Sequence, residues 1–493
     1  LQARISEVLQ KPELAQATVG IKVASLDTGR VLFESNANKL LRPASNMKLY
    51  TVAAAIDRLT PDYRFVTSVY ARAKPDSAGT VRGDLTIYGR GDPSIAARFN
   101  SGNYFKGIDD LAARIVAAGV KRVEGDLVGD ESYFTGPQYG SGWNWDDMTW
   151  WYGAEVSALT VNDNALDLFV KPGMQVGAPA VITTGPPDPL LRITNKVTTS
   201  VKGTKRDISV YRALASDELE ISGSIALDDP GYTGGVGISR PALLFVYLLR
   251  ASLAQQGVVV TGKSRTIPQP IFAGTPGTIV SGLVEVANLQ SPPLSVVAAQ
   301  TMKPSQNLYT ELILRTLGKV VAVAPPSASA GSTNGIITVQ SPNAGRTSEE
   351  AGIQVVRAFL TEAGVMASPL ALNDGSGLSR NDMITAEASL QLLTYMRRHR
   401  FATAFRDALP IAGVDGTLRN RMKGTVAENN LRAKTGTLSS ASSLSGYVTT
   451  AAGEELVFSI MVNNYPPGMS PPSVCIDPIA LLLASFAGKS GSD

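Results

Sequence analysis

Histidine and cysteine are almost missing from these 493 residues, which hold one of each, His399 and Cys475. A single cysteine can form no intrachain disulfide and cannot build a cysteine-rich metal site. The lone histidine sits in Arg397-Arg398-His399-Arg400, where three cations oppose an imidazolium, and this argues against a Ser-His-Asp mechanism. Charge is sparse as well: 18% of residues are charged and the formal net charge is +3. So slight and evenly spread a balance predicts no nucleic-acid partner and leaves only a weak attraction to an anionic wall or membrane surface. The most apolar stretch, Pro241 to Leu249, stops at Arg250, too short to span a bilayer. The run from Ile479 to Phe486 is shorter and reads as a terminal helix packed on a sheet. Leu1-Gln2-Ala3-Arg4 begins an amphipathic segment rather than a signal peptide, which suits either a mature exported chain or a cytosolic one.

What is present is a well-folded composition, 44% apolar, and a length that at roughly 150 residues per domain suggests about three domains. Residues 19–26 and 31–35 are β-prone and flank Asp27-Thr28-Gly29-Arg30, a hairpin signal. Pro43-Ala44-Ser45 then opens a helix with Leu49, Val52, Ala53 and Ile56 on its buried face. From about 64 to 275 the texture changes to short strands and turn signals, interrupted by helices at Asp110–Ala118 and Pro241–Gln256. Residues 294–302 and 306–317 read as two helices broken at Lys303-Pro304-Ser305. A Pro/Ala/Ser/Gly loop is expected at 324–335, and helices resume near 347–363 and 385–398. Leu431–Thr437, Ser445–Thr450 and Glu455–Asn463 have strand alternation, so the first hairpin and the last strands can share one antiparallel sheet.

Three short motifs stand in order: Ser45-Asn46-Met47-Lys48, Ser305-Gln306-Asn307 and Lys434-Thr435-Gly436-Thr437. A Ser-x-x-Lys match is expected about once by chance in such a chain, so the order and context carry the weight. A serine hydroxyl is a poor nucleophile at neutral pH and needs an adjacent base. Lys48, three residues beyond Ser45 on one helix face, can be that base if burial and the nearby Lys434 keep it neutral. Ser305 can relay a proton to a departing amine, and Asn307 can hold a substrate amide. Lys434, Thr435 and Thr437 offer a cation and two hydroxyls to a terminal carboxylate, while Gly436 leaves room for a ligand at the strand. The oxyanion then belongs between the N–H groups of Ser45 and Thr437. The bland alternative for each motif alone is a helix cap, a solvated lysine and a strand end; together the three outweigh it.

With these motifs, and with Gly91-Asp92-Pro93, Trp143-Asn144-Trp145-Asp146-Asp147, Asp374-Gly375-Ser376-Gly377-Leu378-Ser379-Arg380 and Gly413-Val414-Asp415-Gly416-Thr417-Leu418, the chain closely resembles the D-alanyl-D-alanine carboxypeptidase/endopeptidase group of low-molecular-mass class C penicillin-binding proteins. The resemblance implies a multi-domain α/β protein. Its transpeptidase-like (β-lactamase-type) domain has an antiparallel sheet with flanking helices, and two nested, mostly β domains interrupt it. The 260 positions from Ser45 to Ser305 (305 minus 45) leave room for such insertions. The implied division is 1–70 with 276–493 for the catalytic domain, 71–164 with 228–275 for the first insertion, and 165–227 nested within it. Ser45 is then the acylated nucleophile and Lys48 the base, with Ser305, Asn307 and Lys434 catalytic and Thr435, Gly436 and Thr437 binding substrate. Asp146 and Arg380, with Trp143 and Trp151, are implied in a pocket for the charged end of the peptidoglycan side chain; Leu438 lines the cleft.

The activity so implied is cleavage of D-Ala-D-Ala termini or D-Ala-diamino acid cross-links of peptidoglycan stem peptides. β-Lactams are expected as covalent inhibitors, no cofactor or metal is needed, and the setting is an exported, periplasmic or cell-envelope one. Two rivals stay open: a β-lactamase or esterase of the same fold, for which no separate deacylating glutamate motif is seen, and a non-catalytic penicillin-binding wall protein. Three other motifs have plainer readings. Arg90-Gly91-Asp92 belongs to a Gly-x-Gly-Asp-Pro turn, Gly234-Gly235-x-Gly237 is expected to be a loop, and Asp146-Asp147 lacks the companions a metal requires.

Overall fold

The computed structural model describes residues 1–214, 216–272, 280, 282–321, 345–365 and 370–490; the loop expected at 324–335 lies outside them. Two compact units form. One comprises Leu1–Tyr63, Gly140–Gly142 and Pro293–Asp493, the other Arg64–Tyr139 and Trp143–Pro292.

Both chain ends of the first unit enter one antiparallel sheet, as the alternation predicts. Its strand order is Arg432–Leu438, Ala441–Thr449, Glu455–Asn463, Thr18–Ser25, Val31–Ser35. Ile21 stands opposite Ile460 and Val23 opposite Phe458. On one face these residues pack with Ile5, Ile479 and Leu483 from the helices Gln2–Leu9 and Asp477–Ala484. The helix Ala386–Arg398 also packs on the sheet, against Glu455–Asn463 and Thr18–Ser25. Helices cover the sheet, so Ala441–Thr449 and Glu455–Asn463 are buried along nearly their whole length rather than alternately.

The helix expected after Pro43 is Met47–Leu59, entered through a 3₁₀ turn at Ala44–Asn46. Leu49, Val52, Ala53 and Ile56 are fully buried, and so are Lys48, Tyr50 and Thr51 on its other sides. It is a central helix buried all round, anchored by about 1.5–3 kcal/mol for each large apolar side chain. It ends at Thr60, before Pro61, whose missing N–H cannot continue it. Leu294–Met302 and Asn307–Val320 form the expected broken pair, followed by Ser348–Glu362. One short helix, Ala402–Ala408, was not foreseen.

The second unit is richer in β structure. Its largest sheet is mixed, in the order Ser264–Ile267, Leu127–Asp130, Leu85–Tyr88, Val66–Ala71, Val284–Gln290, with parallel pairing about Leu127–Asp130 and antiparallel pairing beyond. The helices Lys106–Ala117 and Pro241–Gln255 pack together beside it. Arg192–Ser200, Glu218–Ala226 and Asp207–Tyr211 make a separate small sheet. Tyr232–Gly237 is a strand paired with Ala165–Lys171. The loop expected at Gly234-Gly235-x-Gly237 is therefore wrong: glycines weaken strand propensity, but pairing with Leu166 and Leu168 of the core overrides it.

Candidate active site

Three segments of the first unit converge where the sequence motifs predict a site. Ser45 lies in the 3₁₀ turn, Lys48 in the first turn of the helix that follows, and their Oγ and Nζ atoms are 3.0 Å apart. The Lys48 amine also donates to Asn307 Oδ1 at 2.6 Å and to the Ser376 carbonyl at 2.7 Å. Lys434 Nζ reaches Ser305 Oγ at 2.9 Å and the Thr435 carbonyl at 2.7 Å. Ala44 and Ser305 both take left-handed backbone, with φ of +48° and +65°. For an L residue this costs about 1–2 kcal/mol, and such strain persists where the surroundings over-determine it.

Those surroundings are specific. The Ser45 turn packs under the edge strand: Ser443 Oγ donates to the Pro43 carbonyl at 2.7 Å, and Asn46 Nδ2 to Ser445 Oγ at 2.7 Å. A Cβ on Gly436 would stand 2.5 Å from Pro43 O and 3.0 Å from Ser45 N. Gly436 therefore makes room first for the chain's own turn. Along this strand the Ala433 N–H points outward, to the Pro410 carbonyl at 3.0 Å. By alternation the N–H groups of Thr435 and Thr437 face outward too. Thr435 Oγ1 bonds Thr417 Oγ1 at 2.7 Å, and the Thr417 N–H bonds the Lys303 carbonyl at 2.9 Å. The run Gly413–Leu418 thus braces the strand and the Ser305 corner together.

Both lysines are fully buried. Burial lowers the Lys48 pKa to about 7, against the opposing pull of Asp374, Glu311 and Asp382. Burial also pushes the Glu311 and Asp382 carboxyls well up, toward the neutral form, which weakens their pull on Lys48. Lys434 is pushed well down, first by burial and then by Lys48. The sequence motifs treat Lys434 as a standing cation; in this pocket burial and the neighbouring Lys48 oppose that charge.

Residues that sequence reasoning missed hold the Lys48 partner in place. Asp374 Oδ2 accepts from Ser376 Oγ and the Ser379 N–H, both at 2.9 Å, and its Oδ1 accepts from the Gly377 N–H at 2.6 Å. Glu311 Oε1 accepts from the N–H groups of Gly375 and Ser376 at 3.0 and 2.9 Å. Two signals existed: the Asp374-Gly375-Ser376-Gly377 run, and an acid one turn after Asn307, set among Leu308, Leu312 and Ile313.

The other candidates are placed as follows. Thr437 is exposed, and Leu438 and Arg380 are half-buried, all in the first unit. Trp143, Asp146 and Trp151 belong to the second: Trp143 is buried with its ring edge-on to Tyr139, Asp146 is exposed, and Trp151 is partly exposed. His399 lies outside the cluster, bonding Asp57 at 3.0 Å. Asp57 is nine residues beyond Lys48, about 14 Å along the same helix. Among the described residues no group of three or more His, Cys, Asp and Glu is arranged to hold a metal, and no helix is long and apolar enough to cross a membrane.

Solved structures share this architecture. Penicillin binding protein 4 (dacB) from Haemophilus influenzae superposes with a TM-score of 0.79 at 22% identity, over 98% of this chain and 99% of that one. The same protein complexed with a novel β-lactam gives 0.74 at 21% identity, over 98% and 100%. At the sequence level, a D-alanyl-D-alanine carboxypeptidase of Actinomadura sp. (strain R39) is 33% identical over 504 residues, covering 100% of this chain and 86% of that protein. The D-alanyl-D-alanine carboxypeptidase DacB of H. influenzae is 24% identical, covering 94% and 89%. The fold is thus that of a penicillin-binding protein with a transpeptidase-like unit. More narrowly, the pattern of the D-Ala-D-Ala carboxypeptidase 3 (S13) family matches residues 1–336 and 336–485, and the chain belongs to that family.

Proposed function

We propose that this chain is a serine DD-peptidase acting on peptidoglycan stem peptides through an acyl-enzyme on Ser45. The observation that carries the reading is the hydrogen bonding of Lys48. A neutral amine has two N–H bonds and one lone pair. Asn307 Oδ1 and the Ser376 carbonyl accept the two N–H bonds, so the lone pair is left for the Ser45 hydroxyl at 3.0 Å. Ser45 Oγ attacks the carbonyl carbon of the penultimate D-alanine while its proton passes to Lys48 Nζ. The oxyanion is received by the N–H groups of Ser45 and Thr437, where one donor is commonly worth about 10²–10³ in rate. When the C–N bond breaks, the proton taken up by Lys48 passes by way of Ser305, which is bonded to Lys434, to the departing amine. The neutral Lys48 so regenerated accepts the proton of the water that attacks the ester and returns it to Ser45 Oγ, which restores the serine.

Thr435 and Thr437 with Lys434 receive the terminal carboxylate, whose charge favours protonation of Lys434 as it binds. If the leaving amine belongs to a diamino acid of a second stem peptide, the same steps cut a cross-link. Arg380 and Leu438 are proposed to contact the substrate's side chain; Asp146, Trp143 and Trp151 follow from the family resemblance alone. β-Lactams are expected to acylate Ser45, in keeping with the β-lactam complex of the H. influenzae relative. The substrate implies an exported, envelope setting with peripheral wall or membrane association. In the second unit we further propose that 165–227 is a nested domain, supported by the sheet of Arg192–Ser200, Asp207–Tyr211 and Glu218–Ala226, all drawn from it.

Digestion of purified muropeptides with product masses recorded tests the reading. Loss of one alanine marks carboxypeptidase action and splitting of a dimer marks endopeptidase action; Ser45→Ala should abolish both. A penicillin adduct that turns over in seconds would instead favour a β-lactamase. Intact muropeptides with a stable adduct would favour a non-catalytic penicillin-binding protein.

A further inference from the structure

The second unit carries a cleft of about 640 Å³, within the roughly 300–1,000 Å³ of pockets that take small organic ligands. It is lined by Asp167 and Gly235, neighbours in one row of the sheet formed by Ala165–Lys171, Val181–Gly185 and Tyr232–Gly237, and Gly185 continues that row on the other side of Asp167. Asp167 is the only residue of that row with a side chain. An aromatic ring lies over the glycine on either hand. A Cβ on Gly235 would come within 2.8 Å of Trp151 Cδ1, so the indole rests directly on the strand; one on Gly185 would lie 3.4 Å from the Tyr104 hydroxyl. That hydroxyl donates to Asp167. Trp151 keeps 37% of its surface exposed.

The cleft is also lined by Arg98 and Asp163, paired at 3.0 Å, and by Asn162. Asn162, Asp163 and Asn164 all take left-handed backbone, with φ of +47°, +60° and +48°, a run that costs about 1–2 kcal/mol per residue. Side chains lock it: Asn162 Oδ1 accepts from the Ala97 N–H at 3.0 Å, and Asn164 Oδ1 accepts from the Val161 N–H at 3.0 Å. Gly235, which the acyl-transfer chemistry leaves unused, thus has a role as the seat of an aromatic platform.

Two carboxylates against one guanidinium disfavour an anionic ligand. A flat aromatic face beside paired acceptors and donors suits a ring with one C–H face and a rim of hydroxyls. We propose that this cleft binds a neutral pyranose saccharide, its C–H face stacked on Trp151, which replaces for that residue the side-chain contact drawn from the family resemblance, and its hydroxyls bonded by Asp167 and Asp163. The amino-sugar strand that carries stem peptides is the nearest source of such a ring; that clause rests on the proposed function, whereas the saccharide assignment does not.

Titrating the full chain with the uncharged N-acetylglucosamine tetramer, by calorimetry and tryptophan fluorescence, tests the proposal. Saturable binding is expected below about 10 mM, with at least a tenfold weaker affinity in Trp151→Ala and in Asp167→Asn, both checked for folding by thermal melting. Ser45→Ala should bind the sugar as the unmodified chain does, so a failure of the acyl-transfer reading and a failure here are separable. The proposal is overturned by no saturable binding to the folded chain, by equal affinity in folded Trp151→Ala, or by tighter binding of a simple alkylammonium such as pentylamine, which would make the cleft an ammonium site.

Discussion

The pockets around Lys48 and Lys434 are alike in burial and unlike in company. Both amines are sealed from solvent, and burial depresses both. Around Lys48 stand Asp374, Glu311 and Asp382, whose pull leaves its pKa at about 7. Around Lys434 the polar partners are the Ser305 hydroxyl and the Thr435 carbonyl, and its nearest charged influence is Lys48 itself. Acids beside one lysine and none offsetting burial at the other divide the labour. Lys48 can exchange a proton near neutrality, while at Lys434 burial and Lys48 both oppose the charge, which an arriving anion would favour.

That contrast can be broken most severely at Lys48. Lys48→Ala should lower the benzylpenicillin acylation rate by about 10²–10⁴, measured by adduct mass against time. Lys434→Ala should cost less in acylation by an uncharged ester than by a carboxylate-bearing substrate, with the difference in the Michaelis constant. Next is the brace beneath Lys48. Glu311→Ala should slow acylation by about 10-fold or more by releasing the Gly375 and Ser376 amides, whereas Glu311→Gln, which keeps an acceptor and matches a carboxyl already pushed toward neutrality, should stay within about threefold. Equal losses in the two would mean that the charge of Glu311, not its hydrogen bonding, matters. Gly436→Ala should destabilise by about 1–3 kcal/mol in denaturant melts, since its Cβ meets Pro43 O and Ser45 N. An unchanged midpoint would show that the turn can yield.

Much of this was legible in the chain. Alternation and turn signals gave the strands of the first sheet, because both chain ends carry long segments with strong β preference. Three-residue spacing put Lys48 beside Ser45, and Pro304 marked the corner that turns Ser305 and Asn307 inward. The rest had weaker signatures. The Ser376 acceptor is a backbone carbonyl, which no side chain announces, and Glu311 reads as an ordinary helical acid until its burial is known. The strand at Tyr232–Gly237 was hidden by its glycines, and parallel pairing about Leu127–Asp130 depends on partners distant in sequence. That burial pushes the Lys434 pKa down depends on packing density, which composition does not encode.

The central claim is that neutral Lys48 receives the Ser45 proton, and the pH dependence of benzylpenicillin acylation tests it most directly. With the Lys48 pKa lowered to about 7, the base form is lost as pH falls, so the rate should drop about tenfold per pH unit below that value and level off above it. A rate constant that stays flat from about pH 5.5 to 8.5, in a chain still folded throughout, would contradict it.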